Sequence, residues 1–186
     1  MKERKYKEDY GFETYFDDKG HEKRRAVYRG EWYSMDAQDE KMKISVLIPF
    51  ALCAIAYLIY MKFNTPSGRC MYVLPPAACA LIPLVYWAMG IFALLRNPAK
   101  MTRLQKENGP GRVLRSAIGA GVLLAMAVVG DVIFIFTSPT ARENGELAGF
   151  VFLAIAAACA FGGFIRARAA FERIQKTDPP RKEACK

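Results

Sequence analysis

Polar and apolar positions along this 186-residue chain fall into blocks. Residues 1–43 hold 22 of the 45 Asp, Glu, Lys and Arg residues, while long tracts between Ile44 and Ile165 carry no charge. The first tract, ISVLIPFALCAIAYLIYMKF, occupies 44–63. About 20 residues at a helical rise of about 1.5 Å cross a hydrocarbon layer of roughly 30 Å. Similar tracts occupy 71–95, 116–136 and 147–165. The pattern predicts an all-α membrane protein, an antiparallel four-transmembrane-helix bundle spanning 44–165. Short connections make sequential helices the expected antiparallel neighbours. The second tract contains Pro75, Pro76 and Pro83. Proline removes a backbone donor and clashes with the preceding turn, so a kink is expected there. Lipid tails leave close packing to hold helices together, and small residues mark where it happens. Ala117, Gly121 and Ala125 in the third tract and Ala154, Ala158 and Gly162 in the fourth are the expected contact faces.

A different period governs the N-terminal segment. In YGFETYF the residues Tyr10, Phe12, Thr14 and Phe16 alternate onto one side, then DDKGH intervenes before EKRRAVYRGEWY. Alternation flanking a turn-rich loop predicts a β-hairpin over about 10–33. A five-residue loop from Asp17 to His21 pairs Tyr10 with Tyr28 and Phe12 with Ala26, and Trp32 extends that face. A two-stranded hairpin is marginal alone in water, so its aromatic side needs support. Docking on its own bundle is the expected support, and Phe12, Tyr28 and Trp32 are the candidate surface for a partner.

Charge placement orients the predicted spans. Residues 1–43, 96–115 and 166–186 hold 11, 6 and 7 Lys and Arg, whereas 62–70 and 137–146 hold 2 and 1. This alternation places both termini in the cytoplasm by the positive-inside rule, in a multi-pass protein of the cell (inner) membrane. The first 43 residues are too polar for a signal peptide, so the first apolar tract is expected both to target and to anchor the chain. The net charge of +9 is the excess this topology demands, which removes the case for a nucleic-acid partner. Juxtamembrane cations attract anionic lipid at about 1 kcal/mol each. Arg96, Lys100, Arg103, Lys106, Arg112 and Arg115 are the candidate lipid contacts, and the tail 166–186 adds further basic residues. Within that tail, RARAAFERIQK is expected to prolong the fourth helix up to Asp178, and GPGR at 109–112 reads as an isolated turn.

Chemistry has few places to reside. The five cysteines and single His21 show no metal-ligand spacing, and no cofactor motif or catalytic signature is present in the sequence. Asp131 is the one charge well inside a span, about 24 Å beyond Arg115 at helical rise. It shares a helical face with Ala120, Leu124 and Ala127, so it is expected to face the bundle. Tyr57, Tyr60, Lys62, Arg69, Tyr72 and Arg142 are its candidate neighbours, and Tyr57, Arg69, Tyr72 and Arg142 join it as candidate intramembrane functional residues. Small multidrug transporters also have four spans and an acid, but they carry it in the first span, so no family is identified. The leading expectation is a non-enzymatic accessory or scaffold subunit that presents its cytoplasmic hairpin and basic loop to a protein partner, a second copy or anionic lipid. The alternative is a small proton-coupled transporter or channel that uses Asp131.

Overall fold

The computed structural model describes residues 9–16, 21–34, 39–63, 65–96, 100–138 and 145–177. Arg142, Cys185 and most of the hairpin loop lie outside them. The chain is mostly helical, with four stretches long and apolar enough to cross a membrane and a small antiparallel hairpin before them. Strands β1 (Tyr10–Phe16) and β2 (Glu22–Tyr28) form that hairpin. Tyr10 pairs with Tyr28 and Phe12 with Ala26, the register that a five-residue loop imposes.

Helix α1 runs over Asp39–Lys62 with Pro49 inside it. The second apolar stretch divides into α2 (Leu74–Cys79) and α3 (Leu81–Arg96). Its break follows from proline chemistry. Pro75 and Pro76 occupy the first turn of α2, where an amide hydrogen has no partner anyway. Pro83 cannot donate to the carbonyl of Cys79, four residues back, and the helix parts at Ala80. Helices α5 (Pro110–Thr137) and α6 (Glu146–Glu172) supply the third and fourth stretches.

Helix α5 is the centre of the bundle, packed between α3 and α6, and α1 lies mainly along α6. Sequential neighbours therefore hold for the last three stretches, but the first helix closes on the fourth rather than on the second. The contact of α1 with α3 is narrower and includes Phe50, whose ring packs edge to face with that of Trp87 at 5.3 Å between centres. Small residues line much of the core: Ala117, Ala120, Gly121 and Ala127 on α5, and Ala156, Ala160, Gly163 and Ala167 on α6, with Leu124 and Leu153 buried among them. The expected α5 face is thus used through Ala117 and Gly121. The expected α6 face is not: Ala158 is exposed, and a methyl group at Gly162 would meet nothing within 4 Å. Small residues at four-residue spacing recur on several sides of so Ala-rich a helix, and the bulky rings of Trp87 and Phe161 select the side used. A side chain at Gly163 would collide with the Trp87 ring.

The outward faces carry the large apolar residues. Ile48, Leu52 and Ile55 of α1, Val85, Met89 and Phe92 of α3, and Val122, Met126 and Val129 of α5 are all exposed. Water-soluble helices present polar residues there. This reversed pattern is compatible with a multi-pass membrane protein.

Three further strands join distant parts of the chain. β3 (Trp32–Ser34) is the middle strand of a small sheet, paired antiparallel with β4 (Lys100–Thr102) on one edge and β5 (Gln175–Thr177) on the other. The N-terminal segment, the second connection and the tail therefore meet at one end of the bundle, here called the terminal end. The connection from Phe63 to Val73 and the start of α6 form the opposite, far end. Two expectations are corrected at the terminal end. The tail does not stay helical to Asp178, because α6 stops at Glu172 and residues 175–177 are taken into the sheet. Pro110, Gly111 and Arg112 are the first turn of α5, with Gly109 as the cap, and not an isolated turn.

Candidate functional site

Among the described residues, the far end holds Thr65, Ser67, Asp131 and Glu146, four of the five buried polar residues. Asp131 is fully buried on α5, level with Gly130, whose absent side chain lets the Tyr72 carbonyl approach; a Cβ there would lie 2.8 Å from that oxygen. Neither carboxylate oxygen of Asp131 has a hydrogen-bond partner among the described residues. Its polar surroundings are the Ser67 side chain and the carboxyl of Glu146, with the hydroxyls of Tyr60 and Tyr72 within electrostatic reach. Glu146 is also buried, although it opens α6 immediately after Gly145, which takes the left-handed conformation at φ 70°. One Glu146 oxygen accepts the Ser67 amide N–H at 2.9 Å, and the other has no partner among the described residues.

Ser67 belongs to a short 3-10 turn, Ser67–Arg69, that folds back over the bundle. Its hydroxyl donates to the Thr65 hydroxyl at 3.3 Å, and Thr65 packs where Gly149 of α6 leaves room. Two acids and two hydroxyls from α5, α6 and the 65–69 segment therefore share one buried place. Tyr57 is buried nearby but is engaged elsewhere, donating to the Ala77 carbonyl at 2.8 Å. Lys62 and Arg69 are exposed at this end, and Tyr72 is half exposed. Sequence reading missed Glu146 because it stands at the margin of an apolar tract, where an acid reads as an ordinary solvated helix start. Its own neighbourhood carried no signal of burial, because an acid in the first turn of a helix is equally favoured in solvent.

At the terminal end, the three-stranded sheet closes over a second small core of Tyr33, Leu94, Met101 and Ile174, flanked by Phe171. Helix α4 (Arg103–Asn108) covers it, started by a capping box in which Thr102 and Gln105 satisfy each other's backbone N–H groups. The Lys106 ammonium lies 4.0 Å from the centre of the Tyr33 ring and 4.8 Å from that of Phe171, so this candidate lipid contact is turned into the platform. Glu31 ties the strands together: it accepts Lys176 Nζ at 2.6 Å and Tyr33 Oη at 2.7 Å.

These bonds make the platform sensitive to pH. The hydrogen bond from Lys176, then that from Tyr33, holds the Glu31 carboxyl below its ordinary range. A depressed carboxyl stabilises the fold above its unfolded value and loses that contribution as pH falls through the folded one. The bond to Glu31 also pushes Tyr33 up to about 12, so its contribution disappears when pH rises from the ordinary tyrosine range towards that value. Protection of the amides of 32–34 against hydrogen exchange, taken relative to the intrinsic rate at each pH, should therefore fall below the ordinary glutamate range in the wild type. The Glu31→Gln variant should be less protected at neutral pH and lack the acid-side change.

Tyr28 links hairpin and platform. Its ring meets Tyr10 and Trp32 edge to face, each at 5.3 Å, and its hydroxyl accepts the Arg103 amide N–H at 3.1 Å. The distal half of the hairpin does not dock on the bundle: Phe12 and Phe16 remain 76% and 74% exposed. Lys23, Arg24 and Arg25 on β2 are exposed as well.

A groove of about 330 Å³ runs beside this platform between α3 and the α4–α5 junction. Ile82, Pro83 and Tyr86 form its apolar wall, and Arg112, Arg115 and Ser116 stand at its polar edge with Asn108 and Glu107. Asn108 steadies Arg112 through a 3.2 Å hydrogen bond, and Glu107 leans to Arg103 at 4.0 Å. Arg96 instead stacks on Phe92 at 4.0 Å, and Lys100 is exposed on β4. Among the described residues, no group of three or more His, Cys, Asp and Glu side chains is placed to hold a metal ion. No family model, no curated protein and no solved structure matches this chain.

Proposed function

We propose that the chain is a multi-pass membrane protein of accessory or scaffold type, with both termini and the second connection in the cytoplasm, and that its terminal end holds anionic lipid. The observation that carries this reading is the groove. An apolar wall of Ile82, Pro83 and Tyr86 leads to two guanidinium groups, Arg112 and Arg115, about one helical turn apart on α5. Guanidinium groups match phosphate geometry, and an acyl chain suits the wall below them. The ion pair between Glu107 and Arg103 lowers the repulsion that Glu107 would offer to an anion. The hairpin adds a second contact of the same chemistry. Arg24 shares the face of the exposed Phe12 and Phe16 rings, and Lys23 and Arg25 flank it on the opposite face, a mixture that suits a headgroup layer, where aromatic bodies and cations are both favoured.

The test is lipid retention. Purified in detergent and offered mixtures of phosphatidylglycerol and phosphatidylcholine, the wild-type chain should keep the anionic lipid by native mass spectrometry. At about 1 kcal/mol per cation, the Arg112→Ala/Arg115→Ala variant should lose about 2 kcal/mol of that preference, roughly 30-fold. Equal retention by variant and wild type would remove the groove as a lipid site.

A further inference from the structure

The far-end acids are used by none of the interactions that carry the lipid reading, and they ask for an occupant of their own. We propose that Asp131 and Glu146, together with Ser67 and Thr65, form a binding site for a small hard cation of the alkali or alkaline-earth class. Three carboxylate oxygens, both of Asp131 and one of Glu146, are buried without a hydrogen-bond partner among the described residues. A buried acceptor left unmade costs about 1–3 kcal/mol, and more when it is charged. A bound ion is one way to complete such groups.

The donors share one character. Carboxylate and hydroxyl oxygens select hard cations, whereas thiolate and imidazole ligands select softer metals. The nearby Cys70 thiol is turned to the Pro66 carbonyl at 3.8 Å, and His21 lies on the hairpin. The geometry of Ser67 organises the set: its amide orients Glu146, its side chain lies against Asp131, and its hydroxyl meets Thr65. Two carboxylates on separate helices, bridged by a turn from a third segment, make a site that a cation closes. Binding would therefore join α5, α6 and the 65–69 segment and stabilise the far end. Access is short, because the covering segment carries exposed residues at Arg69 and Met71.

The full-length chain, washed with chelator into choline chloride, would be heated in detergent with sodium, calcium or magnesium chloride at matched ionic strength. At least one of these cations should raise the melting temperature of the wild type in a saturable way. Asp131→Asn should abolish that response, and Glu146→Gln should weaken the half-saturation by about tenfold or more. Arg112→Ala/Arg115→Ala should keep it in full, which separates failure here from failure of the lipid reading. If Asp131→Asn does not fold, Glu146→Gln and Ser67→Ala carry the comparison. A wild type that no cation stabilises beyond the choline control would overturn the site. So would variants that respond as the wild type does, or an Asp131→Asn protein that is simply more stable while the wild type ignores every cation.

Discussion

Replacing Trp87 with alanine should lower the stability of the bundle by about 3–5 kcal/mol, the range for deleting a buried Trp or Phe side chain. Trp87 is fully buried where three helices come together: its ring meets Phe50 of α1 edge to face and fills the space left by Gly163 of α6. On the α6 side the facing residue is Gly163, which has no side chain to fill the gap. The effect would be read from denaturant titration of the purified protein in mixed micelles. A companion variant isolates the cause. The indole N–H of Trp87 has no acceptor among the described residues, so Trp87→Phe removes an unmet donor along with some volume and should cost much less than alanine. Equal losses for the two variants would mean that packing against Phe50 and Gly163 is not what holds α1, α3 and α6 together.

The second large effect belongs to the terminal end. Met101→Asp should free the three-stranded sheet at a cost of about 3–5 kcal/mol, the scale for an uncompensated buried charge. Met101 is fully buried among Tyr33, Leu94 and Ile174 and pairs with Tyr33 at the centre of the sheet. Protease should then cleave within 100–108 and 174–177 while α5 and α6 remain protected. The small terminal-end core and the larger bundle core share no buried residues, so the damage should stop there. A variant as resistant as the wild type at both segments would show that the platform does not depend on this core.

These two sites also mark what was legible in the chain. The four apolar tracts could be read because each is long, continuous and bounded by charge. The hairpin register could be read because alternation and loop length together leave one pairing. The inward aim of Asp131 followed from helical spacing alone, since Ala120, Leu124 and Ala127 are fully buried on the same face. The sheet of β3, β4 and β5 was hidden for a physical reason. Each strand has three residues, too few to show a period, and their stability comes from partners about 70 or more positions away. The packing side of α6 was equally hidden, because Ala and Gly occur all around that helix and the choice is made by the rings of Trp87 and Phe161, which periodicity does not reveal. Glu146 escaped for a related reason: its burial is set by the 65–69 segment that folds over it and by nothing in its own neighbourhood.

Four helices crossing a bilayer should put the terminal-end platform on one side and the far-end connection on the other. Single cysteines introduced as Lys23→Cys, Lys100→Cys and Met71→Cys into a cysteine-free chain, probed in sealed vesicles with a membrane-impermeant maleimide, test this most directly. All three positions are exposed. Positions 23 and 100 should label together from one side and position 71 only from the other. Labelling of positions 71 and 100 from the same side would contradict the arrangement.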